Sequence, residues 1–360
     1  MRISVPTIPL AILSNATTTK VITPFDATNR IATFLGAGNT TVITGAGVSV
    51  DSGIRAYRGD DGRYMNPNYK PIFYHELVDE TEKGYAFRQR YWLRSYLGYP
   101  PVRDALPNTT HTALAALQHT SVVSKLITQN VDGLHFKAIS HLWDSSKMDA
   151  SILELHGTLH KVRCRRGHVV DRDMFQKLLS DANPQWKQFV DDMESTGNQP
   201  RTNPDGDVAI EGVSYDDFVV PECPSCWEEN HRNSNHKPEV IFFGESIPKA
   251  VKDRSLLHVE QCDRLLIIGT TLATYSAFSL LKRALELKKP VLLLNVGPTR
   301  ADLLPNIDKI DMSSGVIIRD VVKQVLGTTA STNVAVRDLL SKGIVKPPTE
   351  DDDRAPRAAG

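Results

Sequence analysis

Four short clusters in this chain carry side chains that could do chemistry. Gly45-Ala46-Gly47-Val48-Ser49, followed by Asp51-Ser52-Gly53-Ile54, follows an apolar β-branched run. Glycines at that point let backbone approach a pyrophosphate, and the amides of a following helix start would hold its charge. Gln129-Asn130-Val131-Asp132 follows a second such run and presents two amides and a carboxylate. Those groups suit a carboxamide or a ribose at a sheet edge. Glu154-Leu155-His156-Gly157 places a histidine beside a glycine. Imidazole titrates near neutral pH and suits removal of a hydroxyl proton. Cys223 and Cys226 stand at the spacing of a metal-binding pair.

These clusters need a scaffold that brings them together. Apolar runs at residues 41–44, 122–128, 265–268 and 291–294 each end at Gly, Asn, Gln or Thr, and read as buried parallel strands. A last strand is expected at 316–318, leading into a segment at 320–326. Helical patterns at 111–118, 255–262 and 277–287 alternate with the strands, so the fold class is α/β, a Rossmann-like doubly wound parallel sheet. Ligands of such sheets sit at the strands' carboxyl ends, where the loops named above would converge. Residues 161–238 turn charged and rich in Asn and Pro and hold three of the four cysteines, which suggests a smaller inserted lobe. Residues 71–101 are aromatic and basic and read as a helical insertion.

Composition narrows the class. The 360 residues are 41% hydrophobic and carry 42 basic and 42 acidic side chains. The balance gives no basic excess for nucleic acid, and no apolar run reaches the roughly 20 residues that cross a bilayer. Four cysteines are too few for a disulfide scaffold. Residues 1–29 read as an N-terminal extension or transit peptide, with Arg2 and Lys20 and no acid before Asp26. Residues 331–360 are expected to form a largely disordered tail. An ordinary dehydrogenase is poorly matched, because Val50 stands where the dinucleotide fingerprint wants a third glycine.

Together the motifs resemble those of the sirtuins. Residues 45–58 are similar to that family's cofactor loop, 129–132 to its nicotinamide-pocket motif and 154–157 to the segment carrying its catalytic histidine. Lys237-Pro238-Glu239-Val240-Ile241-Phe242-Phe243-Gly244-Glu245, Gly269-Thr270-Thr271-Leu272 and Asn295-Val296-Gly297 follow in the family's order. The similarity spans about residues 30–326. Arg90-Tyr91-Trp92, residues 204–207 and residues 295–300 look most like the class II, mitochondrial group, which favours a mitochondrial matrix address over a cytoplasmic or nuclear one.

The resemblance implies an NAD-dependent protein-lysine deacylase that releases nicotinamide and O-acyl-ADP-ribose. The catalytic domain would cover 30–330, with the sheet lobe at 30–70, 102–160 and 239–330. His156 would be the general base, and Asn130 and Asp132 would order the nicotinamide and a water. Cofactor contacts are expected from Gly45, Ala46, Gly47, Ser49, Asp51, Gly53, Ile54, Tyr57, Arg58, Gln129, Asn130 and Asp132. Gly269, Thr270, Thr271, Asn295, Val296, Gly297, Ser314 and Gly315 complete that set. Ile241, Phe242, Phe243 and Gly244, in a strand over 240–245, would pair with an acylated peptide opposite residues 273–276. The same site could perform mono-ADP-ribosyl transfer to protein.

Two departures from the family pattern stand out. Ala56 occupies a position that is commonly acidic. The family's structural zinc is held by two Cys-x-x-Cys pairs, but here Gly167 replaces the second cysteine of the first pair and His168 follows it. Cys164, His168, Cys223 and Cys226 could form a Cys3His site. The alternatives are loss of zinc, or completion of the shell by His231 or His236. Cys262 reads as a buried helix residue.

Overall fold

The structure is a computed structural model that describes residues 6–14, 22–58, 71–195, 205–206, 208 and 214–346. Parts of the expected N-terminal extension (1–5 and 15–21), of the 204–207 stretch, and of the tail (347–360) lie outside the described residues.

Nine strands are found among the described residues: β1 (Thr40–Thr44), β2 (Val123–Thr128), β3 (Ile152–Glu154), β4 (Gly157–Cys164), β5 (Val169–Asp171), β6 (His236–Val240), β7 (Arg264–Ile268), β8 (Val291–Leu294) and β9 (Ile307–Ile310). Six form one sheet in the order β3-β2-β1-β7-β8-β9. Every pairing in it is parallel. Chain order reverses at β1, and the crevice there is where doubly wound sheets take ligands.

Strand alternation divides the sheet's apolar residues between two cores. Val42, Leu126, Leu266 and Leu292 face helices Pro24–Gly36, Thr109–His119 and Ser314–Leu326. Ile43, Ile127, Leu265 and Leu293 face helices Lys249–Gln261 and Tyr275–Glu286. Burial on both faces explains why these strands read as unbroken apolar runs.

A third core joins the rest of the chain. Helix Glu82–Asp104 contributes Tyr91, Trp92, Tyr96 and Leu97, which pack with Val162 of β4, Phe175, Phe218 and Phe242. The helical insertion and the lobe of the antiparallel sheet β5-β4-β6 therefore share one apolar interior. Arg172 is buried there, its guanidinium 4.3 Å from the ring centre of Tyr99 and bonded to Ser95 O at 3.2 Å.

Several expectations need correction. Residues 316–318 are not a strand but part of helix Ser314–Leu326, and the last strand is β9. Ile317, Ile318, Val321 and Val322 are buried at helical spacing. The β-branched run was the misleading signal. β9, Ile307-Asp308-Lys309-Ile310, is an edge strand with only Ile310 buried, so it lacks an apolar run.

The tail is not disordered from 331. Helices Thr329–Thr332 and Val334–Ser341 follow, and Val336 and Leu339 enter the main core. Helix Pro24–Gly36, capped by the Thr23 hydroxyl, starts before residue 30 and buries Ala27 and Thr28. The segment around 240–245 is strand only to Val240; beyond it Phe243 makes an isolated parallel bridge with Phe73. Helix Lys249–Gln261 stops at Gln261, and Cys262 is its buried C-cap.

Candidate active site

The carboxyl end of every strand in the parallel sheet delivers part of the expected constellation. β1 runs into a 3-10 helix, Ala46–Ser52, preceded by Gly45 and ended by Gly53 with φ +82°. Gln129, Asn130 and Asp132 follow β2, and His156 follows β3. Gly269, Thr270 and Thr271 follow β7, and Asn295, Val296 and Gly297 follow β8. Ser314 and Gly315 open the helix after β9. Ala46, Ser49, Ile54, Tyr57, Gln129, Asn130, Val131 and Asp132 line one pocket.

Close backbone packing explains the glycines of the first loop. A Cβ on Gly47 would lie 2.8 Å from Gly269 O, so at this point the loops after β1 and β7 pack backbone against backbone. Gly157 is likewise obligatory: φ is +77° and a Cβ would collide with Glu239 O of β6. That contact lets the chain pass from His156 straight into the second lobe.

Ser49 is the hub of the pocket floor. Its hydroxyl donates to Asp132 Oδ2 at 2.7 Å and accepts from Asn130 Nδ2 at 3.0 Å. His111 Nε2 lies 3.4 Å away, and the Asn108 side chain in turn caps the start of helix Thr109–His119. Burial raises the Asp132 carboxyl pKa, opposed by hydrogen bonds from Leu134 N and the Ser49 hydroxyl. Burial also pulls His135 down to about 3 and His111 well below its ordinary range, so both are neutral beneath the pocket.

His156 lies beside the pocket, behind the lining residue Gln129, and is half-buried. Its Nδ1 is 3.2 Å from Gln129 O and its Nε2 is 2.8 Å from Ser276 Oγ. A carbonyl only accepts, so Nδ1 carries the proton and Nε2 keeps its lone pair. Burial lowers this imidazole to about 4, the Gln129 bond opposing it. It is therefore neutral and able to accept a proton at pH 7. Glu154, at the end of β3, is pushed up to about 8 by burial, with Asp132 adding to the shift.

The structure brings the remaining expected residues to the same edge. Ser314 Oγ is 2.9 Å from Thr110 Oγ1, and a Cβ on Gly315 would run into the Asp51 carboxylate. Asn295 is buried, whereas Val296 is 65% exposed and offers a rim contact at most. Arg58 donates to Pro6 O at 2.5 Å, which ties the end of the first loop to the N-terminal segment. Val131 and Ser276 fall within segments expected at the site and His135 just beyond one, but the sequence gives none of the three the contact seen here.

A second cluster lies at the tip of the smaller lobe. Cys164 ends β4, His168 sits in the turn before β5, Cys223 caps helix Pro224–Glu228 and Cys226 lies within it. Their donor atoms all fall within 4.8 Å of one another. Cys164 Sγ to Cys226 Sγ is 3.8 Å; His168 Nδ1 lies 3.6, 3.3 and 3.8 Å from the sulfurs of Cys164, Cys226 and Cys223. A tetrahedral zinc with bonds of about 2.3 Å to sulfur and 2.0 Å to nitrogen needs edges of about 3.8 and 3.5 Å. The donor set thus fits a structural zinc ion. His168 Nε2 lies 3.1 Å from Glu229 Oε1, the carboxylate that fixes which nitrogen faces the metal. His231 is exposed and His236 packs against Phe175, and neither belongs to the cluster.

Comparison with known proteins agrees with this geometry. The Sir2 family model matches residues 45–276. The chain is 40% identical over 307 residues to "NAD-dependent protein deacylase SIR4" of Batrachochytrium dendrobatidis, covering 83% of this chain and 95% of the relative. It is 36% identical over 296 residues to "NAD-dependent protein deacylase Sirt4" of Drosophila melanogaster, covering 81% and 86%. A solved structure described as "Structural Basis for the Mechanism and Regulation of Sir2 Enzymes" matches with a TM-score of 0.58 at 26% identity, over 83% of this chain and 98% of that one. With its family motifs gathered at one sheet edge and its relatives matched over most of their length, the chain belongs to the Sir2 family, the sirtuins.

Proposed function

We propose that the protein is an NAD-dependent protein-lysine deacylase with His156 as its general base. The observation that carries this is the state of His156: neutral, its Nδ1 committed to Gln129 O and its Nε2 left as the accepting nitrogen, met here by the Ser276 hydroxyl. The deacylase names of relatives aligned over most of their length support the same activity.

The acyl oxygen of the modified lysine bonds to the ribose carbon as nicotinamide leaves with the electrons of its C–N bond. His156 Nε2 then takes a ribose hydroxyl proton, and that oxygen attacks the acyl carbon. Lysine departs as the free amine, and a water supplies the remaining oxygen of O-acyl-ADP-ribose. Asn130 and Asp132 order the nicotinamide and the water, and Ser49, with the loops after β7, β8 and β9, holds the rest of the dinucleotide. The peptide pairs with residues 241–244 on one side and 273–276 on the other, so affinity comes mainly from main chain. Zinc, bound by Cys164, His168, Cys223 and Cys226, crosslinks the smaller lobe and takes no part in the reaction.

The N-terminal composition and the class II resemblance support a mitochondrial matrix address. No helix among the described residues is long and apolar enough to cross a membrane. Fusing residues 1–29 to a fluorescent protein tests the address; a diffuse cytosolic signal would refute it.

The activity is tested by incubating the protein with NAD and acetyl-, succinyl-, lipoyl- and long-chain acyl-lysine peptides, measuring nicotinamide and deacylated peptide by mass. Deacylation that persists unchanged in His156→Ala defeats the general-base assignment. Label from NAD retained on protein instead of in a small ester identifies ADP-ribosyl transfer.

A further inference from the structure

His156 is held at both ring nitrogens, and the second partner is a side chain that can let go. Ser276 Oγ lies 2.8 Å from Nε2, and because Nδ1 donates to Gln129 O at 3.2 Å, the Ser276 hydroxyl must be the donor to Nε2. The two partners are themselves tied together. Gln129 Nε2 donates to Thr270 Oγ1 at 2.9 Å and to Thr44 O at 3.2 Å, and its Oε1 accepts from Thr274 Oγ1 at 3.2 Å. Thr274 caps the helix in which Ser276 is the second residue. His156, Gln129, Thr274 and Ser276 thus close a ring that spans β3, β2 and the β7 loop across the end of β1.

Building on the general-base reading above, we propose that Ser276 is a positioning residue for His156, its hydroxyl aiming the Nε2 lone pair until the ribose hydroxyl replaces it. One lone pair accepts one proton donor, so the ribose hydroxyl and Ser276 occupy the same position in turn. The imidazole therefore meets its substrate already oriented. Ser276 also ends the segment expected to pair with the acylated peptide, so peptide docking and the exchange at Nε2 meet in one residue.

The two halves of the reaction separate this role from a structural one. Nicotinamide exchange, read as labelled nicotinamide entering NAD in the presence of acylated peptide, needs only the first bond exchange at the ribose carbon. Product formation also needs the proton transfer to Nε2. Ser276→Ala should lower deacylated product about tenfold while changing exchange by less than about threefold, and Ser276→Thr, which keeps the hydroxyl, should restore the ratio. Product formation at the wild-type rate in Ser276→Ala overturns the proposal. So does a parallel fall of exchange and product, or a Ser276→Thr variant that behaves like alanine. His156→Ala runs alongside: if it deacylates normally, the general-base reading itself has failed.

Discussion

Ser49 on the loop after β1 donates its hydroxyl to Asp132 on the loop after β2 at 2.7 Å, and Asn130 donates to Ser49 from the same second loop. Two loops more than 80 residues apart in the chain are thereby locked into one pocket floor. Removing the hydroxyl leaves a buried carboxylate and an amide each short of a partner, a loss of about 1–3 kcal/mol. Ser49→Ala should raise the KM for NAD at least tenfold by steady-state kinetics. Ser331→Ala, on the exposed side of helix Thr329–Thr332, should leave it within about twofold.

The low pKa of His156 sets the acid limit of activity. Its ordinary value of 6.5 is lowered to about 4, so the base stays neutral well below pH 6.5. A plot of kcat/KM against pH should therefore remain flat through pH 6.5 and bend only as it approaches the lowered value. A bend at the ordinary histidine value would show that Nε2 is solvated in the free enzyme.

Glu154 gives stability the opposite dependence. Its folded pKa, about 8, lies above its ordinary 4.5, so the folded protein keeps a proton that the unfolded chain has already released. The sign follows: this contribution is full below pH 4.5 and is lost as pH rises through 8. The urea midpoint should fall between about pH 6 and 8.5 in the wild type and change much less in Glu154→Gln. An unchanged slope in the variant would assign the pH dependence to other groups.

Metal analysis should find about one zinc per chain. His168→Ala should reduce that content and lower Tm by roughly 5–10 °C. Glu229→Gln, which removes the carboxylate behind His168, should weaken zinc binding about tenfold or more while leaving the four donors in place. Full zinc retention in both variants would place the ion elsewhere.

Leu339 lies on the final helix, Val334–Ser341, and is fully buried against the main core. Leu339→Ala should cost about 2–4 kcal/mol in urea unfolding, and the 61% exposed Leu303 should tolerate alanine within about 0.5 kcal/mol. Equal stability of the two variants would mean that the last helix is not docked in solution.

The sequence alone was enough for the parts governed by local pattern. Doubly buried strands read as apolar runs because both faces meet helices, and the loops that follow them carry glycine and amide motifs in recognisable order. His168 was legible as a metal ligand because imidazole is a chemically sensible substitute at a known spacing. Elements whose burial is partial or non-periodic were misread. β9 exposes much of its surface, and the 316–318 run is β-branched yet helical because its apolar side repeats every three to four residues. The final helix, in a stretch whose composition reads as disordered tail, is held because Val336 and Leu339 fill space beside helix Thr109–His119.

Pairings between distant segments belonged to the tertiary structure. Nothing in the spacing of Gln129, His156 and Ser276 says that one imidazole lies between a carbonyl and a hydroxyl. That contact exists because β3 and β2 are neighbours, while the β7 loop reaches across the carboxyl end of β1. The histidine's low pKa is equally a property of packing, since burial, not sequence neighbours, removes the water that would stabilise its charge. Residue type and order determined which chemistry this chain could host. Strand adjacency and burial decided which nitrogen of His156 is left unprotonated to perform it.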